Sequence, residues 1–158
     1  VGCGTGSLAL AAAQRVGAAG DVYGIDPAPK MIELAQRKAI KKGTKVDFRI
    51  AAIEALPYDD HSFDIVLSSL MMHHLPDHLK SVGIAEIYRV LKPGGRLAIV
   101  ELDSTRFSLI NFVHGQRTSE NRLALELKHL MQAYKLGQVE IKNMRYGSLT
   151  FLMGTKAA

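Results

Sequence analysis

Three glycines on alternate positions open the sequence. VGCGTGS sets Gly2, Gly4 and Gly6 in a G-x-G-x-G pattern ahead of a run of small apolar residues. Glycine at this spacing lets the backbone take a positive φ and pass close to a ligand. Asp26 stands twenty residues beyond Gly6, at the end of the next strand-like segment. A carboxylate there can accept hydrogen bonds from the two hydroxyls of a ribose, as in dinucleotide-binding folds. The same residues also have a purely structural reading, in which the glycines form a tight strand-to-helix turn and the acid caps the following helix. Taken alone, they leave both readings open.

The elements that must position these residues alternate between strand-like and helix-like patterns, which argues for an α/β sheet with helical crossovers. SLALAAAQRV reads as a helix opening at Ser7, and DVYGID (Asp21 to Asp26) as a short strand. PAPKMIELAQRKAIKK puts Ala28, Ile32, Ala35 and Ala39 on one helical face and stops at Gly43. KVDFRI alternates Val46, Phe48 and Ile50 as a strand does, whereas FDIVLSSLMM runs apolar like a strand buried on both faces. DHLKSVGIAEIYRVL is helical with Asp77 as a candidate N-cap, KPGG is a turn and RLAIVEL is a further buried strand. TSENRLALELKHLMQAYKL is a helix starting near Thr118 or Ser119. QVEIKNM and SLTFLMGTK form a closing hairpin around an Arg-Tyr-Gly turn.

Composition narrows the class. The 158 residues suffice for one domain with a real core, and 47% apolar with 22% charged residues is ordinary for a globular protein. Cys3 is the sole cysteine, so a disulfide framework and a cysteine metal cage are both excluded; it reads as a small side chain in a tight turn. No apolar run approaches the roughly 18 residues that span a bilayer, and a cytoplasmic location is the resulting expectation. The net charge of +5 includes Arg37, Lys38, Lys41 and Lys42 in the last turns of one helix, where cations complement the helix dipole. The other basic residues are scattered without interleaved aromatics, which disfavours nucleic acid as a partner.

Four stretches decide between the readings of the glycine turn. VGCGTGS, GIDPAPKMIELAQRKA, IEALPYDDHSFDIVLSSLMMHHL and RVLKPGGRLAIVEL closely resemble, in order and spacing, the class I S-adenosylmethionine-dependent methyltransferases. The nearest branch is the small-molecule type that includes the quinone-ring methylases. The likeness runs over nearly the whole chain, and LKPGG after Val90 is among its more specific marks. It implies a single domain over residues 1–158 with a Rossmann-like, doubly wound, mostly parallel sheet closed by an antiparallel strand. The family's first strand, an apolar run ending in an acid, would lie before Val1 at the middle of the sheet. The sequence is therefore expected to be a fragment of a longer protein.

Carried over residue by residue, the resemblance implies S-adenosylmethionine as cofactor. Gly2, Cys3 and Gly4 would line its methionine portion through their backbones and Asp26 would hold the ribose. Pro27 and Met31 would pack near the adenine, with Ile53 presenting its backbone beside the ring, and Ser69 would approach the amino group and the substrate. The family usually has an aspartate where Ala52 stands, accepting from the adenine amino group; alanine cannot, and Glu54 or a water would have to substitute.

Methyl transfer from a sulfonium is an in-line displacement in which the protein mainly positions the partners, and a base helps when the nucleophile starts protonated. His73 and His74, just beyond Ser69 in SSLMMHHLPDH, are the candidate bases, since histidine is the side chain that ordinarily exchanges protons near neutral pH. His78, His61 and His114 have weaker claims. Ser69-Leu70-Met71-Met72 stands where amino-group methylases carry an Asn/Asp-Pro-Pro-aromatic run, and the single cysteine does not suit an arsenic methylase. Leu70, Met71, Met72 and Leu75 fit a small, partly apolar acceptor such as a quinone ring or a lipid headgroup precursor, although methionine also fills gaps in ordinary cores. Three alternatives remain: a nicotinamide-dependent oxidoreductase, disfavoured by G-x-G-x-G in place of G-x-G-x-x-G; a non-catalytic methyltransferase-like binding protein; and an RNA methylase, suggested by charge alone.

Overall fold

The computed structural model describes residues 1–102, 122–143 and 149–158. His114, the helix start expected near Thr118 or Ser119 and the Arg-Tyr-Gly turn lie outside the described residues. The chain divides into two compact units, Val1–Pro57 and Tyr58–Ala158.

In the first unit the glycine turn leads into α1 (Ser7–Val16), followed by β1 (Tyr23–Asp26), α2 (Pro29–Lys42) and β2 (Asp47–Ile50). β1 and β2 run parallel, Tyr23 opposite Asp47 and Asp26 opposite Ile50, which a helical crossover makes possible. α2 follows its periodicity in Ile32, Ala35 and Ala39, which are buried, whereas Ala28, expected on the same face, is the half-buried N-cap ahead of the helix. Gly43 ends the helix at φ 59 with its N–H donating to Ala39 and Ile40 carbonyls. Ile32, Ala35 and Ala39 form one core cluster with Ala9, Leu10 and Phe48. A Cβ on Gly6 would lie 2.7 Å from the Phe48 ring and 2.9 Å from the Ala35 Cβ, so the third glycine of the turn is a packing residue. Ile50 departs from the expected alternation. It is 59% exposed, because α2 covers the strand only as far as Phe48. Beyond that point Ile50 borders an open groove of about 490 Å³ with Pro29, Glu33 and Gln36.

The second unit contains β3 (Phe63–Ser69), α3 (Asp77–Val90), β4 (Leu91–Leu102), α4 (Arg122–Ala133), β5 (Leu136–Asn143) and β6 (Leu149–Lys156). The strands lie in the order β3-β4-β6-β5. β3 and β4 are parallel, and β6 runs antiparallel to β4 and β5, the closing antiparallel strand that was expected. Ile84, Ile87, Leu97, Ile99, Leu127, Met131 and Leu152 are fully buried and fill the core. Buried Lys80 ties α3 to α4, donating to Asp77 at 2.8 Å and Glu126 at 3.0 Å.

Three local expectations are corrected in this unit. Asp77 is the first residue of α3 rather than its N-cap; Pro76 occupies that position, and the Asp77 carboxylate instead serves the buried Lys80 ammonium, which burial obliges to find a counter-charge. KPGG is not a turn between elements but the bulged start of β4. Leu91 pairs with Phe63, and after a register shift Arg96 pairs with Ile65. Finally, β3 is not buried on both faces: Val66 and Ser68 are inside, while Ile65 is 48% exposed. Among the described residues the strands make two sheets, with β1 laddered only to β2 and β3 only to β4.

The bulge explains its second glycine. A Cβ on Gly95 would lie 2.8 Å from the Lys92 carbonyl oxygen and 3.1 Å from that of Phe63, and both are backbone atoms rather than the far ends of flexible side chains. Gly95→Ala should therefore destabilise the protein by about 1–3 kcal/mol in urea denaturation. In Gly137→Ala the nearest such contact is 3.8 Å, and that variant should lose almost nothing.

Candidate active site

In the first unit the glycine turn and Asp26 are one constellation. Gly2, Gly4 and Gly6 all have positive φ, at 61, 50 and 78 degrees. The buried Asp26 carboxylate accepts from the Gly4 N–H at 2.8 Å through Oδ2 and from the Ala28 N–H at 3.0 Å through Oδ1. The Cys3 N–H donates to the Ile25 carbonyl at 2.8 Å, and the Gly6 N–H to the Cys3 carbonyl at 2.9 Å. The turn is thus laced to the carboxyl end of β1, which is where open α/β sheets hold their ligands. Cys3 has both backbone groups engaged and can offer a ligand only its surface. Burial, and then the Asp26 carboxylate, push its thiol up to about 11. Nothing lies within 4 Å of where a Cβ of Gly4 would be, so the outside of the turn is open for a ligand to approach. A carboxylate offers about four lone-pair positions, and two amides leave Asp26 capacity for a ribose.

The remaining positions expected in this unit are placed as follows. Pro27 is exposed, Ala52 half-buried and Ile53 buried. The Ala51 N–H donates to the Asp26 carbonyl at 3.3 Å, which brings the Ala52–Ile53 segment beside the end of β1. Met31 is 38% exposed and lies off the buried face of α2, so it is not a core residue. Asp26 is not the cap of α2, whose N-cap is Ala28 with no side-chain cap hydrogen bond; its bond to Ala28 ties down the lead-in to that helix while the bond to Gly4 shapes the turn.

In the second unit, Ser69 ends β3 opposite Val100 and is half-buried. The chain then turns sharply, with Leu70 at φ 54, a conformation that costs a non-glycine residue about 1–3 kcal/mol and persists only where the surroundings enforce it. The enforcement comes from β4. Leu70 N–H donates to the Val100 carbonyl at 2.8 Å. Met71 and Met72 N–H donate to Oε1 of Glu101 at 2.9 and 2.7 Å. Nδ1 of His73 lies 2.6 Å from Oε2 of the same carboxylate. Glu101 is completely buried, whereas the His73 side chain is 28% exposed. The His74 ring sits against that of His73, centroids 3.9 Å apart, and has no carboxylate partner among the described residues. Met72 is fully buried and Leu70 exposed, so only part of the apolar set is open to an acceptor. His61 is a structural residue, its Nδ1 lying 3.2 Å from the buried Lys156 ammonium. His78 is exposed on α3.

The comparisons with known proteins meet this geometry at the same residues. Residues 1–95, which contain the glycine turn, Asp26, Ser69, both histidines and LKPGG, match the family model described as a methyltransferase domain. The chain belongs to this methyltransferase family. It is 41% identical over 117 residues to a demethylmenaquinone methyltransferase of Thermus thermophilus, covering 72% of this chain and 52% of the relative. It is 35% identical over 116 residues to a ubiquinone/menaquinone biosynthesis C-methyltransferase of Geotalea daltonii, covering 72% of the chain and 48% of the relative. The chain thus spans about half the length of the curated relatives it matches. A SAM-dependent methyltransferase of Methanosarcina mazei superposes with a TM-score of 0.75 at 23% identity, over 99% of this chain and 90% of that one. The fold is accordingly the Rossmann-like one of the solved methyltransferases.

Just beyond the residues that match the family, sequence reasoning missed Glu101. Its signal was present: a lone acid at the carboxyl end of the apolar run RLAIVEL, the same placement that singled out Asp26. Two predictions follow from the geometry of the first unit. Asp26→Ala leaves the Gly4 and Ala28 amides without their acceptor and should lower stability by about 1–3 kcal/mol in urea denaturation; Asp26→Asn keeps one acceptor oxygen and should lose less. For Cys3, alkylation by iodoacetamide should stay slow through pH 9. Its folded value of about 11 lies above the ordinary 9.0. The contribution from keeping the thiol neutral is therefore complete below pH 9 and lost as pH rises through about 11. Denaturation against pH should show this alkaline loss, and Cys3→Ala should abolish it.

Proposed function

We propose that the protein transfers a methyl group from S-adenosylmethionine to a small, partly apolar acceptor, of which a quinone ring in its reduced form is the best-supported class. The observation that carries this reading is the clasp between the Asp26 carboxylate and the Gly4 amide at the carboxyl end of β1, in a chain whose family is that of methyltransferases. The names of the Thermus and Geotalea relatives support a quinone acceptor. The residues fit the cofactor. Open space beside Gly4 admits a ligand close to the backbone, and the free lone pairs of Asp26 suit ribose hydroxyls.

On this reading, Gly2, Cys3 and Gly4 border the methionine portion, Asp26 holds the ribose, and Pro27, Met31 and Ile53 surround the adenine. Ala52 supplies no acceptor to the adenine amino group, and a missing hydrogen bond of this kind costs about 0.5–1.5 kcal/mol. Ser69 borders the cofactor's amino group and the acceptor, and His73 or His74 takes the acceptor's proton. The bound cofactor supplies an electrophilic methyl group; the protein aligns it with the nucleophile. No helix among the described residues is long and apolar enough to cross a membrane, and we place the activity in the cytoplasm, acting on a small molecule rather than nucleic acid. The oxidoreductase alternative has no support in the family match, and turnover of an acceptor, once measured, would exclude a non-catalytic role.

Thermal unfolding with S-adenosylhomocysteine and NADH added separately tests the cofactor. Ligand at about a hundred times its dissociation constant adds about 2.7 kcal/mol. S-adenosylhomocysteine alone should raise the midpoint; stabilisation by NADH alone would overturn the reading.

A further inference from the structure

We propose that Glu101 is a positioning residue that makes His73, rather than His74, the base of the reaction, by fixing both the place of the ring and its tautomer. The proposal rests on the methyl-transfer reading above and deepens it.

Glu101 is the one buried acid in the strand RLAIVEL, and among the described residues its carboxylate takes its partners from the turn after β3. Oε1 takes the Met71 and Met72 amides, and Oε2 faces His73 Nδ1 at 2.6 Å. A carboxylate only accepts hydrogen bonds, so Nδ1 must carry a proton. In the neutral ring Nε2 then holds the lone pair. No hydrogen-bond partner for Nε2 is recorded among the described residues, and the side chain reaches solvent. Among the described residues the His74 ring packs on that of His73 but has no carboxylate partner, so nothing there sets its tautomer. The carboxylate therefore does two things. It holds the strained Leu70 turn in place through two amides, and it presents one defined basic nitrogen just beyond the carboxyl end of β3.

The proton of a quinol hydroxyl passes to Nε2, and the electron pair left on the acceptor forms the carbon–carbon bond to the incoming methyl group. The pair of the broken carbon–sulfur bond stays on sulfur, which becomes a neutral thioether. The hydrogen on the methylated ring carbon then moves to oxygen to restore the quinol. The imidazolium so formed keeps its Nδ1 donor on Glu101, whose negative charge stabilises it.

The test is the tautomer of His73, read from ring nitrogen shifts in long-range proton–nitrogen spectra of the whole protein. The wild type should show neutral His73 protonated at Nδ1; protonation at Nε2 would overturn the proposal outright. In Glu101→Gln the amide oxygen can still accept from Met71 and Met72, but the amide NH₂ faces Nδ1 and can only donate. The His73 proton should therefore shift to Nε2. An unchanged tautomer in a folded Glu101→Gln would likewise overturn it, and if that variant does not fold, the wild-type spectrum alone decides. Methylation of reduced 1,4-naphthoquinone supplies the second readout. kcat in Glu101→Gln should fall by about 10²-fold while S-adenosylhomocysteine affinity stays within about twofold of wild type. An equal loss of affinity would mark Glu101 as merely structural. Failure of the wild type to bind S-adenosylhomocysteine would sink the methyl-transfer reading instead, leaving the tautomer result standing.

Discussion

A carboxylate removed from water has to be given hydrogen bonds, and both units of this protein meet that demand in the same way. Asp26 ends β1 and Glu101 stands one residue from the end of β4. Each is buried, and each accepts backbone amides from the loop beside it, adding to the backbone bonds that also hold that loop. The cost of burying the charge is what makes the loop geometry unique, because any other path would leave the acid unpaired. Acids at the carboxyl ends of strands are thus what the loop geometry of each unit depends on.

The same constraint explains where strain is tolerated. Leu70 adopts a left-handed conformation that its side chain disfavours, and three hydrogen bonds from the next two residues and itself to β4 hold it there. The glycine turn needs less enforcement, because its left-handed positions are glycines. The LKPGG bulge belongs to the same scheme: it lets β4 enter the sheet against β3 with a shifted register, from which Val100 and Glu101 come to face the turn after Ser69. A motif that marks the family is, in this chain, a register device.

Much of the architecture was legible in the residues. α2 was readable from Ile32, Ala35 and Ala39 on one face and Gly43 at its end, because helical periodicity and a left-handed stop are local properties. The closing antiparallel strand and the glycine turn with Asp26 were likewise legible, the latter because glycine spacing and a strand-terminal acid are written in the sequence itself. Ile50 was misread because alternation tells which face a side chain takes but not how far the covering helix extends. Asp77 was misread as a cap because its partner, Lys80, acquires a need for charge only when α4 covers it. Glu101 was overlooked because its partners are some thirty positions away in sequence.

What the sequence determined by itself, then, is everything set by neighbours along the chain. That includes the alternation of strands and helices, the turn glycines, the acids at strand ends and the pair of adjacent histidines. What only the tertiary structure decided is which of those histidines has a fixed proton. His73 and His74 are equivalent to any rule that reads residue type and spacing. They become different because β3 and β4 lie side by side, which brings one buried carboxylate to one ring nitrogen and leaves the neighbouring ring without it.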